Sequence, residues 1–526
     1  VSHFSLTGQL SAAGAGSDQA VRALCGGQRV DLSGLPTGAL SLLLSRAAAR
    51  PDAPPFVVLV SDADAAQRLG ENLAFFAGAE QVLHYPGAET TPFVDVAPDR
   101  RAAMERLSTL FHLQQGLPFR FLILPAAAAL RRVPPRSAIA RRSLRLALAE
   151  ELDRAGLIES LSQGGYLRVP LVEDPGSFAV RGALIDVYPP SEEYPLRIEL
   201  DDELVASIRS FDPETQRTAG EVESISIHPV RDTMLGPEEL QRARERVSDL
   251  CDAINMPSSK RRQLVDDIAG GRNFIGIECF LPAFYERLES LFEYLPENAH
   301  VLALDPHGIE TAIAEELDHA ARDHEARREK KAPVFELDEL YLKPGELSDA
   351  VSARPLGVAH RLAIMGRPDD EEVQHLPALS PPSPEAMLEI AAEDQAALSA
   401  ELKARRGKAR GDDPLEPLAR HVRRWLDEGM RVLLAARTGV QAQRLSQLLR
   451  GQGLRVGKPR DFDPASDTAG LSRPGDGRPE VVVGTLAEGF VLPGDALCLV
   501  TEEEIFGSRA HRRARRRKEV SDTSRP

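Results

Sequence analysis

Phe56-Val-Val-Leu-Val60 is a run of five apolar residues directly after Pro54 and Pro55, the pattern of a strand buried on both faces of a parallel sheet. Ser61 or Asp62 then offers an N-cap. A helix is predicted over about 98–115, with Ala102, Leu107, Leu110 and Phe111 on one side, and 119–124 reads as another buried strand. Strand, helix, strand predicts an α/β domain built on a parallel sheet. Two prolines and the arginines 131, 132, 136, 141, 142 and 145 then mark a boundary. Beyond a predicted helix at 146–161, short apolar stretches at 166–172, 178–187, 196–200 and 204–210 are separated by Pro, Gly and acidic pairs, which predicts a small antiparallel sheet. Helical periodicity returns over 237–255 and 281–295, followed by a strand at 300–304 and a charged helix over 310–331. The small sheet is therefore expected as an insertion in one larger α/β domain.

From about 345 to 413 the composition shifts to Pro, Ala, Glu and Asp, and Pro381, Pro382 and Pro384 interrupt it; a linker with one or two short helices is expected. A helix at 417–428, a strand at 431–436, a helix at 440–449 and strands at 480–483 and 496–500 predict a second small α/β domain. The expected division is 1–137 and 231–345 for the split α/β domain, 138–230 for the insertion, 346–413 for the linker, 414–508 for the small domain and 509–526 for a basic tail.

Composition narrows the function. The 526 residues hold 64 Lys and Arg against 80 Asp and Glu, a net charge of −16, so a chain built mainly to coat nucleic acid is not expected. Only eight of the basic residues are lysine. The four cysteines, 25, 251, 279 and 498, are far apart with no CxxC, which speaks against a disulfide framework or a zinc module and for a reducing cytoplasm. The longest apolar stretch, 121–130, contains Pro125 and is too short to span a membrane, and residues 1–16 lack the pattern of a signal peptide; a cytoplasmic protein without a membrane partner is expected, as a monomer.

Candidate chemistry is sparse. A nucleotide-hydrolysing domain needs GxxxxGK[ST], whose backbone wraps the phosphates while the lysine neutralises them. The nearest segment, Leu35-Pro-Thr-Gly38-Ala39-Leu40-Ser41, has Ala39 and Leu40 where the lysine and hydroxyl belong. Glu502, Glu503 and Glu504 read as a solvated strand end rather than a magnesium pair. His319 and His324 are five apart, so a helix does not set them on one face, and no GxSxG or Cys–His neighbour supports nucleophilic catalysis. The arginine-rich stretches 131–145 and 509–518 are the two positive features, each a solvated linker unless phosphates contact it.

The segment Gly176-Ser-Phe-Ala-Val-Arg181-Gly182-Ala-Leu-Ile-Asp186-Val-Tyr-Pro189, continuing through Pro195-Leu-Arg197-Ile-Glu199-Leu and Ser207-Ile-Arg-Ser-Phe211-Asp212, resembles the small domain shared by UvrB and the transcription-repair coupling factor (Mfd) family. Phe274-Ile-Gly-Ile-Glu278, Gly489-Phe-Val-Leu-Pro493 and Thr501-Glu-Glu-Glu-Ile-Phe506 extend the likeness. Without the Walker lysine and a tyrosine-rich hairpin after Tyr85, the resemblance is to the coupling factors. It implies a helicase-like parallel-sheet domain with an inserted antiparallel α+β domain that docks on UvrA through Arg181 and Arg197. Asp201 stands where an aromatic residue is usual in that docking patch. The resemblance covers the UvrB-like module and the small domain after it. The polymerase-binding domain, the translocase motor with its ATP and magnesium, and the contacts to RNA polymerase and double-stranded DNA are expected in the part of the family that this chain does not match. No catalytic residue, metal or cofactor is expected here; the alternatives are a UvrB-like ATP-dependent damage-verification enzyme and an arginine-mediated DNA-binding protein.

Overall fold

The computed structural model describes residues 10–96, 99–270, 274–360, 376–380, 387–406 and 414–507. Strands β1 (Val30–Ser33), β2 (Phe56–Val60), β3 (Val82–His84) and β4 (Phe121–Pro125) open a large sheet. The chain then leaves it for β5 (Leu144–Ala147), β6 (Leu167–Arg168), β7 (Ser177–Arg181), β8 (Leu184–Val187), β9 (Leu196–Asp201), β10 (Leu204–Phe211), β11 (Thr218–Glu221) and β12 (Ser224–Ile227). It returns through β13 (His300–Leu304), β14 (Leu356–His360) and β15 (Met387–Glu389). The completed sheet has the order β15-β1-β14-β13-β2-β4-β3, and all of its pairings are parallel.

Alternation along β2 explains why its apolar run is continuous. Val57 and Leu59 enter the core on one face, and Phe56, Val58 and Val60 enter the core on the other. A strand covered on both sides has no solvent face on which to place polar residues, and each such side chain contributes roughly 1.5–3 kcal/mol by burial. Asp62 caps the helix Ala63–Ala77 by accepting from Ala65 N at 2.8 Å, and Asp99 caps Arg100–Gln114.

The insertion is a six-stranded sheet, β11-β10-β9-β8-β7-β6, antiparallel except for β6 with β7, beside a β5–β12 ribbon. Phe178, Ile185, Val187, Leu196, Ile198 and Ile208 face Leu157 and Leu161 of the helix Arg154–Gln163, forming a core of their own. The last unit adds β16 (Glu393–Asp394), β17 (Arg431–Ala436), β18 (Arg460–Asp461), β19 (Glu480–Val483), β20 (Phe490–Leu492) and β21 (Leu497–Thr501), ordered β16-β20-β21-β17-β19-β18.

Three expectations are corrected. The stretch 346–413 is not a linker where it is described: β14 lies between β1 and β13, β15 adds an edge, and the helix Ala396–Arg406 packs on the last unit through Leu398 and Leu402. β14 fits between its neighbours because Gly357 is small; a Cβ there would lie 2.6 Å from Leu302 Cδ1. The predicted helix at 146–161 begins as β5, turns at Ala149 with φ 61°, and becomes helical only after Asp153, which accepts from Ala155 N. The helix over 281–295 is broken: Leu281–Phe284 makes one turn, Tyr285 is extended, and Ser290 starts a new 3-10 turn with a capping box to Glu293. Residues 509–526 lie outside the described residues.

The last unit and the large sheet share one core. Leu433, Phe462, Val482 and Phe490 join Leu40, Leu69 and Phe76, and the rings of Phe75 and Phe462 stack at 4.0 Å. Thr468 Oγ1 donates to Phe76 O at 2.7 Å, and Arg46 pairs with Asp495.

Candidate functional site

At the place where a nucleotide-binding loop would lie, β1 leads through Gly34, with φ 77°, to the helix Thr37–Ala48. Ala39 and Leu40 are buried in the core, and Ser41 Oγ donates back to Thr37 O at 2.7 Å. The chain itself fills the space against the first turn. A Cβ on Gly38 would lie 2.4 Å from the carbonyl oxygen of Glu488, and the amides of Ala487 and Glu488 are held by Asn72 Oδ1 at 2.9 and 3.3 Å. Glu504 lies behind this segment. Its carboxylate accepts from Gly489 N at 2.8 Å and Thr501 N at 2.7 Å, and burial pushes its carboxyl up to about 7. It is thus not the solvated strand end expected from sequence. Glu503 pairs with Arg437 at 2.5 Å.

Five of the six arginines of 131–145 are also accounted for, Arg145 being exposed. Arg131 pairs with Glu316 at 3.0 Å, Arg132 with Glu346 at 2.8 Å, and Arg141 and Arg142 with Glu239 at 3.2 and 2.9 Å; Arg136 donates to Glu293 O at 3.1 Å. They clamp the insertion's neck to the large domain rather than forming a solvated linker. His324 is buried and hydrogen-bonds Phe335 O through Nε2, Asp323 accepts from Thr91, and no group of metal-ligating side chains occurs among the described residues.

The predicted docking residues lie on the outer face of the inserted sheet. Strand alternation places Arg181, Asp186, Arg197, Glu199, Ser207 and Arg209 opposite the packed face. Asp186 of β8 lies directly across from Arg197 of β9, which lies across from Arg209 of β10. Asp186, its side chain 2% exposed, binds both candidate arginines. Its Oδ2 accepts from Arg181 Nη2 at 2.7 Å and from Arg197 Nη2 at 2.9 Å, and its Oδ1 accepts from Arg197 Nε at 2.7 Å. These charge-assisted bonds raise the Arg197 guanidinium above its ordinary range. The Arg197 guanidinium also lies 4.6 Å over the ring of Phe211. Two like charges opposite each other repel; Glu199, 3.1 Å from Arg209, neutralises the second arginine.

Asp186 therefore sets the two arginines side by side, and sequence reasoning missed that role. The signal was present: in Leu184-Ile-Asp-Val187, alternation sends Asp186 to the face opposite Ile185 and Val187. Glu199 and Asp201, the carboxylates of β9, pair with neither of these two arginines. Arg181 is 49% and Arg197 26% exposed in their side chains, and each spends only part of its donor fork on Asp186, so both can also receive a carboxylate from outside. Asp201 lies on the same face at the end of β9, exposed, opposite Leu204, which is 47% exposed. Among the described residues it makes no ion pair.

Residues 144–232, the span from β5 through β12, match the UvrB interaction domain. Over 518 residues the chain is 33% identical to the transcription-repair-coupling factor of Myxococcus xanthus, covering 95% of this chain and 41% of that protein. The transcription-repair-coupling factors of Escherichia coli and Bacillus subtilis are 28% and 25% identical, over 94% and 93% of this chain and 39% of each relative. The chain thus spans about two fifths of the length of these relatives. Over that portion, nearly the whole of this chain is similar to the transcription-repair-coupling factors.

Proposed function

We propose that this chain is a recruitment module of nucleotide excision repair: it binds UvrA and so brings repair to a stalled RNA polymerase, without hydrolysing nucleotide itself. The observation that carries the reading is the Arg181–Asp186–Arg197 constellation on the open face of the domain that matches the UvrB interaction domain. Two guanidiniums held by a buried carboxylate form a rigid fork for partner carboxylates, and anchors of this kind dominate interfaces. Asp201 sits at the rim of the same patch, where Leu204 supplies the apolar surface that an aromatic side chain would otherwise give. The absence of a phosphate-neutralising lysine at Ala39, together with the Glu488 carbonyl against the helix start, disfavours a UvrB-like ATPase. The ion pairs of Arg131, Arg132, Arg141 and Arg142 disfavour DNA binding through that stretch. RNA polymerase, double-stranded DNA, ATP and magnesium belong in this reading to the part of the family not matched here, and the module works as a cytoplasmic monomer.

The test is UvrA binding by the purified chain without ATP, measured by surface plasmon resonance. Arg181→Ala with Arg197→Ala is expected to weaken binding by about 2–4 kcal/mol, the scale of interface hot spots. Undiminished binding by the double variant would remove these residues from the interface.

A further inference from the structure

A cavity lies away from the docking face, where the neck of the insertion meets the large domain. About 450 Å³ in volume, it is bounded by the segment after β3, the helix Arg100–Gln114, the stretch after β12 and the residues around Phe274. That is the size of a site for a small organic ligand.

Its arginines divide into engaged and available, and the carboxylates of Glu89 and Asp99 also line it. Arg131 is spent on Glu316 and on Thr90 O, and Arg100 donates to Gly176 O. Arg106 makes only a 3.4 Å contact to Gly87 O, and Arg231 makes no hydrogen bond or ion pair among the described residues. Both are partly buried against the cavity. Burial lowers the Arg231 guanidinium from its ordinary range, while the charges of Glu278 and Asp232 act to raise it. Asp232 and Glu278 line the same wall, but no hydrogen bond joins either to these arginines, and burial raises both carboxyls. Thr233, 3% exposed, also lines the cavity, and its buried hydroxyl has no partner among the described residues.

The mouth is of opposite character. Val96, Leu167 and Ile275 line the cavity while 52%, 53% and 61% exposed, three of the most exposed large apolar side chains described. Apolar surface at the entrance of a pocket with convergent polar groups is the composition of a ligand site rather than of a solvated crevice.

We propose that this cavity binds a small organic anion of nucleoside-monophosphate size, its phosphate or carboxylate head on Arg106 and Arg231 and its apolar body against Val96, Leu167 and Ile275. A guanidinium pair suits either head group. Thr233, Asp232 and Glu278 offer hydrogen-bond partners to the ring edge or hydroxyls of such a body.

The experiment is titration calorimetry of the whole chain with adenosine monophosphate, inorganic phosphate, succinate and adenosine. Adenosine monophosphate is expected to bind saturably, with phosphate at least roughly tenfold weaker for lack of the apolar contacts and adenosine weaker still for lack of the head. Saturable binding of succinate in place of the phosphate probes would also support the site and identify the head as a carboxylate. Arg231→Ala should raise Kd at least about tenfold, the loss of one charge-assisted contact. Ile275→Glu, at a surface position that folding tolerates, should do the same and keeps the test valid if the arginine variant is unstable. No saturable binding of any anionic probe at millimolar concentration, or an affinity unchanged in both variants, would overturn the proposal. Because the cavity lies apart from Arg181 and Arg197, either failure leaves the UvrA reading untouched.

Discussion

Asp186 concentrates the physics of the docking face in one side chain. It is almost completely buried, and its cost of desolvation is offset by three bonds from two arginines. Asp186→Ala should leave both guanidiniums without their common acceptor. We expect a loss of about 1–3 kcal/mol in denaturant stability, the lower part of the range because Arg181 is half exposed, together with weaker UvrA binding although neither arginine is touched. A variant that binds UvrA as well as the parent would show that Asp186 does not orient the pair. Glu504 is the second residue with a measurable signature. Burial makes its neutral form the better fit, so its contribution to stability is whole below the ordinary carboxyl range near 4.5 and is lost as pH rises through about 7. The linkage amounts to at most about 3 kcal/mol. Melting temperature should therefore fall between pH 5 and 8, and Glu504→Gln, which carries no charge at any pH, should flatten that fall. An identical pH profile in the two proteins would contradict the assignment.

Among the elements, the contact between the helix Thr37–Ala48 and the start of β20 is the most exacting. Gly38→Val would drive a side chain into the Glu488 carbonyl and the Phe490 ring. Overpacking of this kind typically costs about 1–3 kcal/mol, and faster hydrogen exchange over 486–492 is the expected readout; unchanged protection there would mean that the contact is dispensable. Which elements could be read from sequence follows from how much local signal each carries. β2 announces itself because both faces are apolar, and the helix Arg100–Gln114 because its apolar stripe is long. β14 does not: Gly357 and Ala359 are small so that neighbouring strands can close on them, and the strand sits in Pro- and acid-rich surroundings that read as a linker. The 281–295 stretch keeps helical spacing in sequence, but capping at Ser290 and the hydrogen bond from the Tyr285 hydroxyl to the chain after β12 divide it. At the candidate site, Arg181 and Arg197 came from family likeness, since two arginines on a strand are by themselves ordinary. Asp186 was readable from alternation alone, but its partners were not, because the register that sets Arg197 opposite it depends on how three strands pair.

For the whole molecule, the arrangement of charge matters more than its sum. Arg131, Arg132, Arg141 and Arg142 of the neck are consumed by carboxylates from distant parts of the chain, Glu239, Glu316 and Glu346, so much of a sequence stretch that looks like a polyanion binder works as a set of internal clamps. The inserted domain keeps its own core, whereas the last unit shares one with the large sheet. A limit on engineering follows from that shared core. Writing nucleotide-binding side chains in, as Ala39→Lys with Leu40→Ser, places a cation and a hydroxyl at two positions that are 0% and 2% exposed, beneath a helix turn already abutted by a backbone carbonyl. Such a double variant should show no more affinity for ATP in equilibrium dialysis than the parent, and saturable binding by it would refute the point. The docking of the last unit therefore acts as a lock: single substitutions cannot open a phosphate site here, because the protein's own chain occupies the room that phosphates would need.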